Sequence, residues 1–367
     1  MKIGRLPWMV LAMLLLLSAL WGSVVRLGWM WPPLLPTLPM AHGPLMVGGF
    51  LGVLIGLERA LGLGNRVAYL VPAMAGAGAV LTASGGGGSI GPLLIVAASY
   101  GLVAIMVAIW RVQPALYAVV LVLAALLWAT GNTAWLLGAS IPSVTLAWAG
   151  FLVLTIAGER LELSRLLRPP GWAVALFAAT VALVIAGALV TLGDFGLGVR
   201  LTAVGWLALG GWLLRFDIAS RRLRAGGQAR YMAIALLLGY GWLVVGGVIG
   251  LLLGVVQAGP VYDAVLHAIF VGFVFSMIFA HVLIILPAVL GVDLTYHPRF
   301  YVHLCLLHGA LILRVLGDLL PWWEARLWGG LLTAVVIVLF LVNTASAARL
   351  RAVTRLSVVV RSQASSN

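Results

Sequence analysis

Apolar residues fall along this chain in blocks of about 20, separated by short polar or glycine- and proline-rich connections. A bilayer core about 30 Å thick is crossed by roughly 20 residues of helix. On that measure the pattern predicts twelve spans, at 8–25, 40–57, 67–84, 90–110, 114–137, 141–158, 171–192, 197–216, 231–254, 261–288, 299–318 and 326–347. The first block resembles a signal peptide in position, but it is long and no A-x-A site follows it, so it is read as a helix. The expected fold is all-α, one polytopic transmembrane unit over 1–367 with a short basic tail at 348–367.

Three blocks share a pattern. The second carries "GFLGVLIGLER" (Gly49 to Arg59), the sixth "GFLVLTIAGER" (Gly150 to Arg160) and the tenth "GFVFSMIFAH" (Gly272 to His281). Gly-Phe opens each, and nine residues after the glycine stands Glu58, Glu159 or His281. The second, sixth and tenth blocks are four apart, so the expected repeat is a four-helix unit used three times, around 8–110, 114–216 and 231–347. Transporters with two similar six-helix halves follow a different plan.

Composition agrees with the block pattern: 63% of residues are hydrophobic and 8% charged. The net charge of +13 would suit a nucleic-acid binder, but its distribution points elsewhere. Alternating connections place 18 of the 22 basic residues on one side, leaving Arg26, Arg200, Arg314 and Arg326 on the other. That asymmetry is the positive-inside bias, which predicts a bacterial-type inner membrane with both termini cytoplasmic and no nucleic-acid partner. Trp21, Trp29, Trp31, Trp322, Trp323 and Trp328 read as an aromatic belt on the outer side. Cys305 is the single cysteine, which excludes disulfides and iron–sulfur ligation by this chain alone. "SGGGGS" (Ser84 to Ser89) follows a membrane helix and lacks the Lys-Ser/Thr of a phosphate cradle.

The six histidines are His42, His267, His281, His297, His303 and His308, with none between 43 and 266. An ionisable residue inside a membrane span is a functional-site hypothesis by default, and imidazole is a ligand for iron and copper. The second and tenth spans run in the same direction, so His42 and His267 share a depth near the outer side. Two facing axial histidines for a haem need that arrangement. The competing reading for His42 is a headgroup-level histidine bonded to a backbone carbonyl. His281 lies fourteen residues after His267, about 21 Å deeper on nearly the same face. A second haem or copper site of His281 with His303 or His308 is one reading, and hydrogen-bonded glue between helices is the other. His297, beside Pro298, reads as a solvated loop residue.

Arg314 is the first candidate for a haem propionate; an Arg314–Asp318 pair at i, i+4, or snorkelling, competes with it. Asp263, four residues before His267, either accepts that histidine's free ring N–H or caps the helix start. Glu58-Arg59 and Glu159-Arg160 read as pairing and anchoring residues at inner helix ends.

"MAHGPLMVGGFLG" (Met40 to Gly52), "HAIFVGFVFSMIFAH" (His267 to His281) and "LRVLGDLL" (Leu313 to Leu320) resemble segments of the NnrS-type haem- and copper-containing membrane proteins. The three-times-four layout is similar to the catalytic subunit of haem–copper oxidases, whose haem ligands lie on the second and tenth helices. The resemblance implies a haem b protein connected with nitric oxide response or related redox chemistry, acting on nitric oxide or another small gas ligand with an electron donor the sequence does not identify. It leaves open whether the chain is an oxidoreductase. Spans six and seven carry no histidine, so the oxidase copper triad has no counterpart. A proton-coupled transporter with a histidine relay, and a non-catalytic sensor or assembly factor, are the alternatives.

Overall fold

The computed structural model describes the backbone of residues 5–364 and side chains as far as Ala348. Lys2 and the side chains of the basic tail beyond Ala348 lie outside the described residues. All regular structure among the described residues is helical. Twelve helices are long and apolar enough to cross a membrane: α1 (Leu6–Leu27), α2 (Leu38–Leu63), α3 (Arg66–Ser84), α4 (Ile90–Val112), α5 (Leu116–Leu136), α6 (Ile141–Leu167), α7 (Gly171–Val190), α8 (Phe195–Phe216), α9 (Gly227–Leu253), α10 (Pro260–Leu290), α11 (Phe300–Leu319) and α12 (Trp323–Ala348). The backbone of α12 continues as helix to Ala364. This is a multi-pass membrane protein, and every span predicted from the apolar blocks is present.

Helix ends follow local chemistry. Gly28, Gly64 and Gly291 end α1, α2 and α10 in the left-handed conformation that glycine tolerates. Asn65 and Asp194 cap the starts of α3 and α8, accepting from Val67 N at 2.9 Å and Leu197 N at 3.0 Å. Most connections are short, so chain neighbours pack side by side, and α1 meets α12 to close a ring.

Three helices stand inside that ring. The apolar windows of α2, α6 and α10 are 67%, 78% and 61% buried, against 33% to 56% for the others. They touch one another: Phe50 of α2 stacks on Phe275 of α10, Tyr262 of α10 donates to Thr145 of α6 at 3.2 Å, and Arg59 of α2 pairs with Glu159 of α6. Every fourth helix is therefore an inner one, which is the spacing of the predicted repeat.

α2 and α10 depart from α-geometry where α6 does not. Leu45–Leu51 and Ala268–Phe275 are π-helical, while α6 is regular through its apolar stretch. In α2 the wide turn begins directly after Pro44, which lacks the N–H that would bond the preceding turn. In α10 the Trp242 ring of α9 lies against Gly272, where an added Cβ would come within 2.4 Å of it. Single π-turns of this kind are frequently found at functional sites.

Candidate functional site

His42 stands three residues before the π-turn of α2, and His267 directly before that of α10. Both face one cavity of about 430 Å³ at the end of the bundle where α1 ends and α12 begins. The volume lies within the roughly 300–1,000 Å³ typical of cofactor pockets. Apolar walls come from Met46, Leu51, Leu266, Phe270, Phe275 and Ile337, and the mouth carries Arg26, Asp263, Arg314 and Arg326.

The two rings are held alike. His42 Nδ1 donates to the Ala19 carbonyl of α1 at 2.8 Å, and His267 Nδ1 donates to the Asp263 carbonyl at 2.7 Å. A carbonyl can only accept, so each Nδ1 carries the proton, and in the neutral ring Nε2 keeps its lone pair. Neither Nε2 has a hydrogen-bond partner among the described residues. Metal-ligating histidines are held in this way, by a backbone carbonyl on the nitrogen facing away from the metal.

The backbone-carbonyl bond foreseen for His42 is present, and it is compatible with ligation because it uses the other ring nitrogen. For Asp263 the atom differs from expectation. Its backbone carbonyl, not its carboxylate, accepts from His267: the ring nitrogen reaches the carbonyl one helical turn back, while the carboxylate turns to Arg326 at 2.6 Å and Arg314 at 3.3 Å. Arg314 Nε also donates to Asp318 at 3.0 Å, and Arg326 Nε lies 2.9 Å from the second Asp318 oxygen. Arg314 is thus both the i, i+4 partner of Asp318 and a residue of the cavity. Two arginines and two aspartates form a closed, neutral quartet. Arg26, which lines the same mouth, has no ion-pair or hydrogen-bond partner among the described residues. It is a cation of the cavity without an ion-pair partner among the described residues, whereas Arg314, the first candidate for a propionate, is held in the quartet.

The remaining histidines sit in other surroundings. His303 is fully buried, with Nε2 against the Tyr231 hydroxyl at 3.2 Å and Nδ1 at 3.0 Å from Asn343 Nδ2. Both ring nitrogens are occupied, and Phe279, Phe300 and Phe340 box the ring in. His308 Nδ1 accepts from Trp242 Nε1 at 2.9 Å, which puts the proton of the neutral ring on Nε2 and leaves no lone pair for a metal. His281 Nδ1 bonds the Met277 carbonyl at 2.8 Å, and its charged neighbours are Arg160 and Asp217. A second site of His281 with His303 or His308 therefore has no paired ligand in this arrangement, because the His303 and His308 rings have no open lone pair. No group of three or more His, Cys, Asp or Glu side chains among the described residues could hold a metal ion. His297 is exposed in its loop, as expected.

The inner helix ends carry ion pairs, as expected for Arg59, Glu159 and Arg160. Arg160 is buried and makes a two-pronged bond to Asp217 at 2.8 and 2.9 Å, so it anchors the bundle interior. Glu159 pairs across the inner helices with Arg59.

Residues 5–349 match the family described as a domain of unknown function (DUF8744), and no curated protein sequence matches the chain.

Proposed function

We propose that this chain, which belongs to the DUF8744 family, binds a b-type haem in its outer cavity with His42 and His267 as axial ligands. One observation carries the reading: two histidines on facing inner helices present unpartnered Nε2 atoms to one apolar cavity, each ring fixed through Nδ1 by a backbone carbonyl. The apolar walls suit a porphyrin face, and Arg26 suits a propionate at the mouth. The bound haem would supply one-electron redox chemistry. The chain's own part is to orient both imidazoles, exclude water with the Phe275 and Met46 side of the cavity, and balance charge at the rim.

Held by two histidines, the group would suit electron transfer or redox sensing, and a gas ligand such as nitric oxide would have to displace one ring. The similarity of the His42 and His267 segments to NnrS-type proteins points toward nitric oxide response as the setting. The skew of basic residues supports a bacterial-type inner membrane with cytoplasmic termini, and in that orientation the cavity would open toward the outer side. The test is the haem content of protein purified from haem-replete membranes. About one haem per chain, lost in His42→Ala and in His267→Ala, is the expected result; a colourless wild-type protein refutes the proposal.

A further inference from the structure

We infer that the Asp263–Arg314–Arg326–Asp318 quartet positions His267 and tunes the reduction potential of the haem; this rests on the binding proposed above. Asp263 serves two groups at once. Its carbonyl oxygen accepts the His267 Nδ1 proton at 2.7 Å, and its carboxylate is gripped by Arg326 of α12 at 2.6 Å and by Arg314 of α11 at 3.3 Å. Asp318, whose side chain is fully buried, completes the ring of charges. The carbonyl that orients the imidazole is therefore clamped from two other helices as well as by its own. Asp263 is a positioning residue, acting on the metal site through His267.

His42 has no such device. Its carbonyl partner Ala19 is an uncharged residue of α1. The two histidines are thus held asymmetrically, and among the described residues only the α10 histidine is tied to a charge network. Hydrogen bonding to the outer nitrogen and fixed charge near the site are both levers on a haem potential.

The quartet is neutral, so removing one member leaves a net charge beside His267 in a low-dielectric interior, where charges act strongly. Loss of the Asp263 negative charge leaves an excess positive charge, which disfavours the ferric form and raises the potential. Loss of Arg326 leaves an excess negative charge and lowers it. A merely structural role would reduce haem retention without a signed shift.

The experiment is a potentiometric titration of the purified full-length holoprotein, wild type against Asp263→Asn, Asp263→Glu and Arg326→Gln. The inference expects an upward shift for Asp263→Asn, a downward shift for Arg326→Gln and a near-wild-type potential for Asp263→Glu. If Asp263→Asn retains no haem, the downward shift of Arg326→Gln decides alone. Variants that bind haem and titrate like the wild type, or that shift in one common direction, overturn the inference while leaving haem binding intact. A wild-type protein without haem overturns both.

Discussion

The rings of Phe50 and Phe275 stack at 6.2 Å between centroids, 23° from parallel. Each phenylalanine lies eight residues after a cavity histidine, Phe50 after His42 and Phe275 after His267. That pairing sets the register of the two inner helices. It differs by two residues from the Gly-Phe alignment, which matches Phe50 with Phe273 and Glu58 with His281. In the register of the stacked rings, His42 and His267 become equivalent and His281 loses its counterpart.

The stack makes the two rings energetically coupled. Both are buried, so Phe50→Ala or Phe275→Ala should cost on the order of 3 kcal/mol. The double variant should cost less than the sum by about 0.5–1.5 kcal/mol, the worth of an aromatic pair. Thermal unfolding of the four proteins in detergent measures this; simple additivity would mean that the rings do not support one another.

Arg26 should matter for the cofactor and not for the fold. It has no ion-pair or hydrogen-bond partner among the described residues to lose, so Arg26→Ala should leave the unfolding temperature of the haem-free protein unchanged and weaken haem retention several-fold. Haem transfer to an apo-globin acceptor gives the rate; an unchanged rate would remove Arg26 from the site.

Gly330 gives Arg314 its path to the cavity. A Cβ there would stand 2.5 Å from Arg314 Nη1 and 2.3 Å from Leu27 Cδ2. Gly330→Ala should therefore displace the Arg314 guanidinium and lower haem content at least two-fold, whereas Gly241→Ala, with open space around it, should change nothing. Haem-to-protein ratios of the two variants make the comparison, and equal ratios would contradict it.

The two ion pairs at the inner ends should behave unequally. Arg160 and Asp217 are both buried, so removing one partner leaves an uncompensated charge and should cost about 3–5 kcal/mol. Replacing both with leucine and methionine should recover much of that loss. Arg59 and Glu159 are partly exposed, and Glu159→Gln should cost less than about 1 kcal/mol. Folded yield after membrane extraction ranks the variants, and an equal effect of Asp217→Asn and Glu159→Gln would contradict the ordering.

The twelve helices were legible because each apolar block must satisfy its backbone internally in lipid, and helix is the solution available to a single segment. The inner position of α2, α6 and α10 was foreshadowed by the repeat spacing. Depth arithmetic and the repeat set His42 and His267 at one level on two inner helices, and both line one cavity. The rest depended on side-chain direction, which periodicity carries poorly once a helix contains a π-turn. His281 sat on nearly the right face by 100° steps, but that count presumes regular α-helix between it and His267, and eight of the intervening residues are π-helical. Asp263 was legible as a neighbour of His267 one turn away, but the spacing could not show that its backbone carbonyl takes the ring proton while its carboxylate turns to Arg314 and Arg326. Arg26 and Arg326 were visible as rare outer arginines, yet only the ion pairs show which of them is left free.

The central claim is tested most directly by reduced-minus-oxidised absorption spectra of the purified protein beside His42→Ala, His267→Ala and His281→Ala. The account predicts a low-spin b-type spectrum in the wild type, its loss or conversion to high spin in the first two variants, and an unchanged spectrum in His281→Ala. A protein without a Soret band, or one whose spectrum survives in both His42→Ala and His267→Ala, would contradict it.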